Sequence, residues 1–192
     1  MNASYNKPQV IMLAAGQSSR FGSHKLMHKM PDGRPLILHS LIPYLENDLP
    51  VCVICKSEDE ALVQLLKNNK IRVLIAPDAH EGMGNSLSFG VKQLVSEGGW
   101  LIALADMPYL LSSSVKKLLP NYQDTIVRPT VDEGAGHPVY FPHVYQAQLA
   151  QLSGDEGARN ILKTAQVKYL SLEDSGCLVD VDRPQDLRTQ KH

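Results

Sequence analysis

Short apolar runs alternate along the chain with segments whose apolar residues recur every three or four positions. The runs predict buried strands and the periodic segments predict helices. Strands are predicted from Val10 and at 50–55, 71–75, 101–105 and 125–128, and helices at 36–47, 85–95 and 112–119. Strands that alternate with helices at this spacing favour βαβ units, and therefore a mostly parallel sheet with helices on both faces.

Local sequence signals refine two of the helices. Pro35 suits the first position of the helix at 36–47, whereas Pro43 inside that helix is expected to kink or split it. The segment 57–60 (Ser-Glu-Asp-Glu) has the spacing of a capping box. We expect it to start a further helix whose apolar face includes Leu62.

The pattern changes after residue 130. The segment 133–141 predicts a turn that leads into a strand antiparallel to its neighbours. Beyond it, a helix is predicted at 158–164, strands at 167–172 and 178–181, and a final helix at 184–190.

The stretch from Val10 to Lys25 has the most specific chemistry. A buried strand leads into a small polar loop, in which Gly16 and Gly22 let the backbone approach a ligand and direct N–H groups at an anion. Arg20 and Lys25 add a planar fork and a mobile point charge for phosphate oxygens. The stretch predicts a polyphosphate-binding loop with Lys25 exposed. An ordinary solvated loop is the alternative, because neither the Walker A nor the dinucleotide pattern is complete.

Three aspartates are candidates for cation binding. Asp106 follows the predicted strand at 101–105, at the edge where open α/β sheets place ligands, and a carboxylate there suits Mg²⁺. Asp180 and Asp182 are two residues apart around the predicted strand at 178–181, so they would point to the same side. A turn is the alternative role for Asp106, and capping of the final helix is the alternative for Asp182.

Composition bounds the class of protein. The 192 residues carry a net charge of -1, with 43% hydrophobic and 20% charged residues, which is ordinary for a globular protein. This charge offers no basic field for nucleic acid, and no apolar run approaches the ~20 residues of a membrane helix. The N-terminus is polar and lacks the apolar core of a signal peptide, so we expect a cytoplasmic protein. The length favours one domain over 1–192.

Cysteines and histidines indicate neither a disulfide framework nor a zinc site. The chain has 3 cysteines, and an odd, low count argues against disulfides. Cys52 and Cys55 lie three apart in a predicted strand, on opposite faces, so we expect two buried free thiols. His24 and His28 lack a carboxylate partner nearby in the sequence, and we predict no zinc site there.

Four motifs together carry a resemblance that spans most of the chain. They are Leu13-Ala-Ala-Gly16 followed by Arg20, Gly22 and Lys25; Ala105-Asp-Met-Pro108; Gly136-His-Pro138; and Asp180-Val-Asp182-Arg-Pro-Gln-Asp186-Leu. In this order they resemble the nucleotidyltransferases of the molybdenum-cofactor type, relatives of the enzymes that make nucleotide-sugars and CDP-alcohols. The resemblance is strongest to the cytidylyltransferases of that family. It implies a single-domain, Rossmann-like three-layer α/β fold of the nucleotide-diphospho-sugar transferase type.

The resemblance also assigns expected roles. It implies an NTP-binding half at about 8–125 and an acceptor-binding half at about 126–192. The implied nucleotide-binding residues are Leu13, Ala14, Ala15, Gly16, Arg20, Gly22, Lys25, Gly82 and Ser86. The implied catalytic residues are Arg20, Lys25 and Asp106, the implied Mg²⁺ ligands are Asp106 and Asp182, and the implied acceptor contacts are His137 and Arg159. From the residues alone, a plain glycine-rich helix start at 82–86, a structural His137 and a surface Arg159 are the alternatives.

The implied activity is Mg²⁺-dependent transfer of CMP from CTP to the phosphate of molybdopterin or molybdenum cofactor, with release of pyrophosphate. Ala15 favours CTP, because relatives that use GTP usually have glycine there. GTP is the alternative nucleotide, a sugar or alditol phosphate the alternative acceptor, and a molybdenum hydroxylase a candidate partner. A non-catalytic cofactor carrier is the alternative outside catalysis. The set Arg20, Lys25, Asp106 and Asp182 argues against it, because a carrier does not need both metal carboxylates.

Overall fold

One mostly parallel sheet organises the part of the chain described by the computed structural model, residues 7–16, 21, 24–119 and 124–187. Its strands are β1 (Gln9–Leu13), β2 (Val51–Cys55), β3 (Arg72–Ile75), β4 (Trp100–Leu104), β5 (Ile126–Val131), β6 (Gly134–Ala135), β7 (Val139–Phe141) and β8 (Val167–Ser171). They lie in the order β3-β2-β1-β4-β7-β5-β6, and β8 pairs with β5.

The pairing pattern gives most strands a common direction. Strand β1 runs parallel to β2 and β4, and β2 runs parallel to β3. Strand β7 is antiparallel to both β4 and β5, and β8 is parallel to β5. Strands β1 to β5 and β8 therefore point one way, which confirms the mostly parallel sheet. The antiparallel strand expected within 133–141 is also confirmed, as β7.

Helices cover both faces of the sheet, as predicted. They are α1 (Leu36–Leu45), α2 (Glu60–Asn68), α3 (Met83–Gln93), α4 (Ser112–Leu118), α5 (Gln146–Leu149) and α6 (Arg159–Thr164). Because successive strand residues face opposite sides, Val10 and Met12 pack with α1, α2 and α4, whereas Ile11 and Leu13 pack with α3, α5 and α6. The result is a three-layer molecule with two apolar cores.

The two cysteines of β2 follow the same alternation. Cys52 belongs to one core and Cys55 to the other, and both are fully buried free thiols, as expected. Burial raises the pKa of Cys52 to about 11 and that of Cys55 to about 12. Both thiols stay protonated near neutral pH, which fits a packing role.

Two local helix signals did not act as expected. The capping box at 57–60 is absent, because α2 begins at Glu60 after Asp59 with no side-chain cap hydrogen bond. The Asp59 carboxylate instead accepts from His24 Nε2 at 3.1 Å. Helix α1 is not split at Pro43, which is buried within it, and continues to Leu45.

The predicted strand at 178–181 is wrong. The chain forms a 3-10 turn at Ser175–Leu178 and then runs without strand pairing, because Val181 N donates to the Asp106 carbonyl rather than to a neighbouring ladder. A glycine is needed in the turn, since a methyl group on Gly176 would collide with the Tyr109 carbonyl. The final helix begins as a 3-10 turn at Pro184–Asp186, and residues 188–192 lie outside the described part.

No helix in the described segments is long and apolar enough to cross a membrane.

Candidate active site

A cavity of about 680 Å³ lies at the carboxyl edge of the sheet, where β1, β2 and β4 end. Open α/β sheets bind ligands at this edge. The walls come from the loops that follow those strands, from the start of α3 and from the C-terminal segment. They are formed by Leu13, Ala14, Ala15, Gly16, Lys25, Leu26, Lys56, Glu58, Ala79, His80, Gly82, Met83, Ser86, Leu104, Ala105, Asp106, Asp155, Asp180 and Asp182.

Lys25 joins two carboxylates in the wall of this cavity. Its Nζ donates to Asp106 Oδ2 at 2.8 Å and to Asp182 Oδ1 at 3.0 Å. Lys25 is only 8% exposed, which corrects the expectation of an exposed loop lysine. The two distant carboxylates hold the ammonium inward, and Leu26 is buried next to it in the 3-10 turn Lys25–Met27.

The environment of Lys25 favours its charged form. Burial alone lowers the pKa of the ammonium, but the Asp106 charge, together with hydrogen bonds to Asp106 and Asp182, outweighs burial and raises the pKa above its usual 10.5. An ammonium that stays charged can hold either carboxylates or phosphate oxygens. It therefore links the predicted phosphate loop to the predicted metal ligands.

Three aspartates form the cation-binding candidate. One carboxylate oxygen from each of Asp106, Asp180 and Asp182 lies within 4.8 Å of the others. Asp106 Oδ1 is buried and has no hydrogen-bond partner among the described residues. A buried, unpartnered carboxylate oxygen beside two further carboxylates suits a hard divalent cation such as Mg²⁺. Asp180 and Asp182 thus reach one site, although the strand proposed to place them does not form.

Hydrogen bonds to the Asp186 side chain fix the local conformation of the C-terminal segment. The Asp186 carboxylate accepts from the backbone N–H groups of Asp182 and Arg183, at 3.0 and 2.7 Å. The 3-10 turn that follows has Arg183, not Asp182, at its N-cap. The Asp182 side chain bonds Lys25.

The loop predicted to contact the nucleobase lies at the start of α3. Gly82 has φ +126°, which L side chains rarely adopt. Ser86, in the first turns of α3, is 2% exposed, and its Oγ has no partner among the described residues. Both residues line the cavity, so a donor and acceptor hydroxyl is available to a bound ligand there.

A segment from the second half packs against this loop. Gly84 N donates to the Gly154 carbonyl at 2.7 Å, and Gly154 N donates to Asn85 Oδ1 at 2.7 Å. The contact places Asp155 in the cavity wall. The sequence resemblance places Asp155 only within the acceptor-binding half at about 126–192 and gives it no role.

Three further wall residues were missed. Lys56 and Glu58 follow β2, and His80 follows β3 in the turn Ala79–Glu81. Their position after parallel strands, at the same edge as Asp106, is the sequence signal that could have found them.

The two predicted acceptor contacts do not line the cavity. His137 donates to the Ile102 carbonyl, and its Nδ1 is buried without a partner among the described residues. Burial, together with the Arg128 charge, lowers the pKa of His137 to about 4, so the ring is neutral near pH 7. Arg159 is exposed at the first position of α6.

Two predicted loop residues, Arg20 and Gly22, lie outside the described residues. The neighbouring His24 has a carboxylate partner that the sequence did not indicate, Asp59, 35 residues away. His28 packs edge-on against the Phe21 ring. Neither histidine belongs to a group of metal-ligating side chains within the described ranges.

Sequence comparison identifies relatives of the chain. The family described as MobA-like NTP transferase domain matches residues 10–170. The purine catabolism protein PucB of Bacillus subtilis (strain 168) is 29% identical over 189 residues, covering 92% of each chain. The molybdenum cofactor cytidylyltransferase of Escherichia coli (strain K12) is 26% identical over 186 residues, covering 94% of each.

Structure comparison agrees on the architecture. Rv0371c from Mycobacterium tuberculosis H37Rv superposes with a TM-score of 0.82 at 20% identity, covering 94% of this chain and 95% of that one. A second structure of Rv0371c, in complex with manganese, gives a TM-score of 0.74 at 18% identity, covering 96% and 94%. The fold is that of the nucleotide-diphospho-sugar transferase type.

Proposed function

Because the chain belongs to the family of MobA-like NTP transferase domains, we propose that it transfers CMP from CTP to the phosphate of molybdopterin or its molybdenum form, releasing pyrophosphate. The observation that carries the proposal is the Lys25 ammonium, set between Asp106 and Asp182 in the wall of a cavity of about 680 Å³. In a reaction between two phosphate anions, a charged lysine can bind phosphate oxygens and paired carboxylates can bind a divalent cation.

The reaction needs alignment rather than a strong base. The acceptor phosphate is already an anion, so it attacks the α-phosphorus of the nucleotide directly while pyrophosphate leaves on the opposite side. The protein must hold two anions together and offset their repulsion. Lys25 is proposed to hold the triphosphate and the charge that develops on the leaving group, and Arg20 is proposed to assist it.

The carboxylates provide the second part of the charge balance. Asp106 and Asp182 are proposed to hold Mg²⁺, and Asp180 lies in the same group. A bound divalent cation would supply positive charge to the phosphate oxygens. The manganese complex of the structural relative Rv0371c supports a divalent cation in this fold.

The nucleotide assignment depends on the loop after β1. Ala14 and Ala15 line the cavity and can offer a backbone N–H and C=O to a base edge. The Ala15 methyl group leaves less room for a purine than glycine would. The similarity to the Escherichia coli cytidylyltransferase supports CTP.

Two other functions are the alternatives. A cofactor carrier that delivers the pterin to a molybdenum hydroxylase would need the cavity but not a carboxylate group of this kind. The same transfer onto a sugar or alditol phosphate would use the same charged residues. The arrangement of Lys25, Asp106 and Asp182 favours an enzyme over a carrier.

The test is pyrophosphate release with each of the four NTPs, with and without molybdopterin, in the presence of Mg²⁺. We expect release only when both CTP and molybdopterin are present, with one CMP incorporated per pyrophosphate. Asp106→Asn is the inactive control. A sugar phosphate is tested in place of molybdopterin as a second acceptor. Pyrophosphate release with the sugar phosphate but not with molybdopterin would contradict the proposal, and so would no release in any combination.

A further inference from the structure

Asp155 is a carboxylate of the cavity wall that no phosphate chemistry requires. It lies outside the group formed by Asp106, Asp180 and Asp182. We infer that Asp155 selects the acceptor by accepting hydrogen bonds from a 2-amino-4-oxopyrimidine edge, in which a ring N–H stands next to an amino group. The inference rests on the proposed function, because a pterin carries this edge.

Close backbone packing positions the segment that carries the exposed side chain of Asp155. A methyl group built on Gly82 would lie 2.5 Å from Asp155 Oδ1 and would collide with the Gly154 carbonyl. The carboxylate can therefore lie over Gly82 only because Gly82 has no side chain. Two hydrogen bonds between Gly154 and the start of α3 also hold the segment around Asp155 against that helix.

Charge decides which part of a ligand Asp155 can face. The described cavity wall already contains four other carboxylates, Glu58, Asp106, Asp180 and Asp182, against the ammonium groups of Lys25 and Lys56. Asp155 is exposed at the rim of the cavity, and a further carboxylate placed beside a phosphate there would repel it. Asp155 must face the heterocyclic end of a ligand, where N–H groups donate.

Hydrogen-bond geometry narrows the heterocycle. A carboxylate has two acceptor oxygens and pairs best with two adjacent donors. Cytosine offers one amino group beside a ring nitrogen that accepts, so it can satisfy only one of the oxygens. A pterin offers two adjacent donors, as does guanine.

A neighbouring side chain offers a surface for the flat ring. Met83 lines the cavity and is 46% exposed. Its thioether lies against Gly157, where an added methyl group would be 3.2 Å from Met83 Sδ. Thioethers contact aromatic rings favourably, so Met83 can cover the ring face while Asp155 holds the edge.

The binding test compares two fluorescent probes, 6-hydroxymethylpterin and 6-hydroxymethyllumazine, in which an oxygen replaces the amino group. The wild-type protein should bind the pterin about 10- to 100-fold more tightly, the range expected for a charged hydrogen bond. Asp155→Asn should remove most of that preference. The matched control is Glu156→Gln, since the adjacent Glu156 bonds Asn160 and lies outside the cavity wall.

Steady-state kinetics show whether Asp155 binds the acceptor or the donor nucleotide. Asp155→Asn should raise KM for molybdopterin about as much as it weakens pterin binding, with KM for CTP unchanged. An unchanged pterin preference in Asp155→Asn overturns the inference. A selective rise in KM for CTP in Asp155→Asn, or a loss of GTP binding, also overturns the inference. Either result would show that Asp155 bonds the base of the donor nucleotide rather than the pterin of the acceptor. A wild-type protein that shows the pterin preference without pyrophosphate release would reject the proposed transfer and retain the role of Asp155.

Discussion

Lys25 Nζ lies 2.8 Å from Asp106 Oδ2, although 81 residues separate them in the chain. With Asp182 on its other side, the single positive charge of the lysine is shared between two of the carboxylates that we propose as cation ligands. Lysine and a divalent cation therefore compete for the negative charge of the same two carboxylates. Binding of the cation should release the ammonium toward the phosphates of the nucleotide.

Replacing Lys25 should damage turnover more than stability. Lys25→Met keeps the buried stem but removes the charge, so it should lower kcat/KM by a factor equivalent to about 2–4 kcal/mol of transition-state stabilisation. Steady-state pyrophosphate release measures the effect, and the melting temperature monitors the fold. Lys29→Met is the matched control, since Lys29 is exposed and outside the cavity wall. Near-wild-type turnover in Lys25→Met would remove the lysine from the mechanism.

The same variant should bind cations more tightly in the absence of nucleotide. Without the ammonium, Asp106 and Asp182 lose their counter-ion, and the attraction for a divalent cation rises. We expect Mn²⁺ titration followed by electron paramagnetic resonance to give a Kd at least about tenfold lower for Lys25→Met than for wild type, corresponding to about 1.4 kcal/mol. Because the pKa of Lys25 is raised, the wild-type competition should persist across neutral pH. An equal Kd for both proteins would show that lysine and cation do not share ligands.

Metal dependence should distinguish the two C-terminal aspartates. Asp106→Asn and Asp182→Asn should each shift the Mg²⁺ titration of activity to higher concentration and lower the maximum, whereas chelation should abolish wild-type activity. Asp180→Asn should have the smaller effect, because Asp180 is exposed and makes no ion pair with Lys25. A larger shift for Asp180→Asn than for Asp182→Asn would reverse the assignment.

Sequence pattern predicted the elements that depend on local periodicity and burial. Short apolar runs were enough to predict β1, β2 and β4. Helical spacing of apolar residues was enough to predict the helix at 112–119. The position of Asp106 followed from the end of an apolar strand, since parallel strands meet at one edge of a sheet. These features depend on neighbours within a few residues.

The features that failed depend on partners far away in the chain. Asp59 precedes α2, but its carboxylate bonds His24, 35 residues away, and Lys25 is drawn into the interior by carboxylates 81 and 157 residues away. The residues around Val181 look like a strand locally, but the Val181 N–H is taken by the Asp106 carbonyl. No short pattern contains such contacts, because they exist only once the sheet is assembled.

Nucleotide choice should depend on Ala15. We expect CTP to be preferred over GTP by at least about tenfold in kcat/KM, the order expected for one steric or hydrogen-bond mismatch. Ala15→Gly should narrow that gap without reversing it, because the loop around Gly82 shares the discrimination. Competition between the two nucleotides at equal concentration measures the ratio, and Ala135→Gly, at an exposed site outside the cavity wall, is the control. Equal use of both nucleotides by the wild type would reject the cytidylyl assignment and retain the nucleotidyltransferase.

Two serines of α3 provide a matched pair for the nucleobase site. Both are buried, but Ser88 Oγ donates to the Ala150 carbonyl at 2.6 Å, whereas Ser86 Oγ has no partner among the described residues and lines the cavity. A hydroxyl without a protein partner adds nothing to folding and is free for a ligand. Ser86→Ala should therefore raise KM for CTP by about tenfold, the equivalent of about 1.4 kcal/mol, and leave the melting temperature unchanged or higher.

Ser88→Ala should show the opposite pattern. It leaves the buried Ala150 carbonyl without its hydrogen bond, so it should lower the free energy of unfolding by about 1–2 kcal/mol and leave KM for CTP close to wild type. Denaturant unfolding and initial-rate kinetics on the same preparations separate the two effects. If Ser86→Ala instead destabilises the protein and binds CTP normally, Ser86 packs α3 and does not contact the base. In that case the Ser86 hydroxyl would stabilise the fold through a hydrogen bond within the protein.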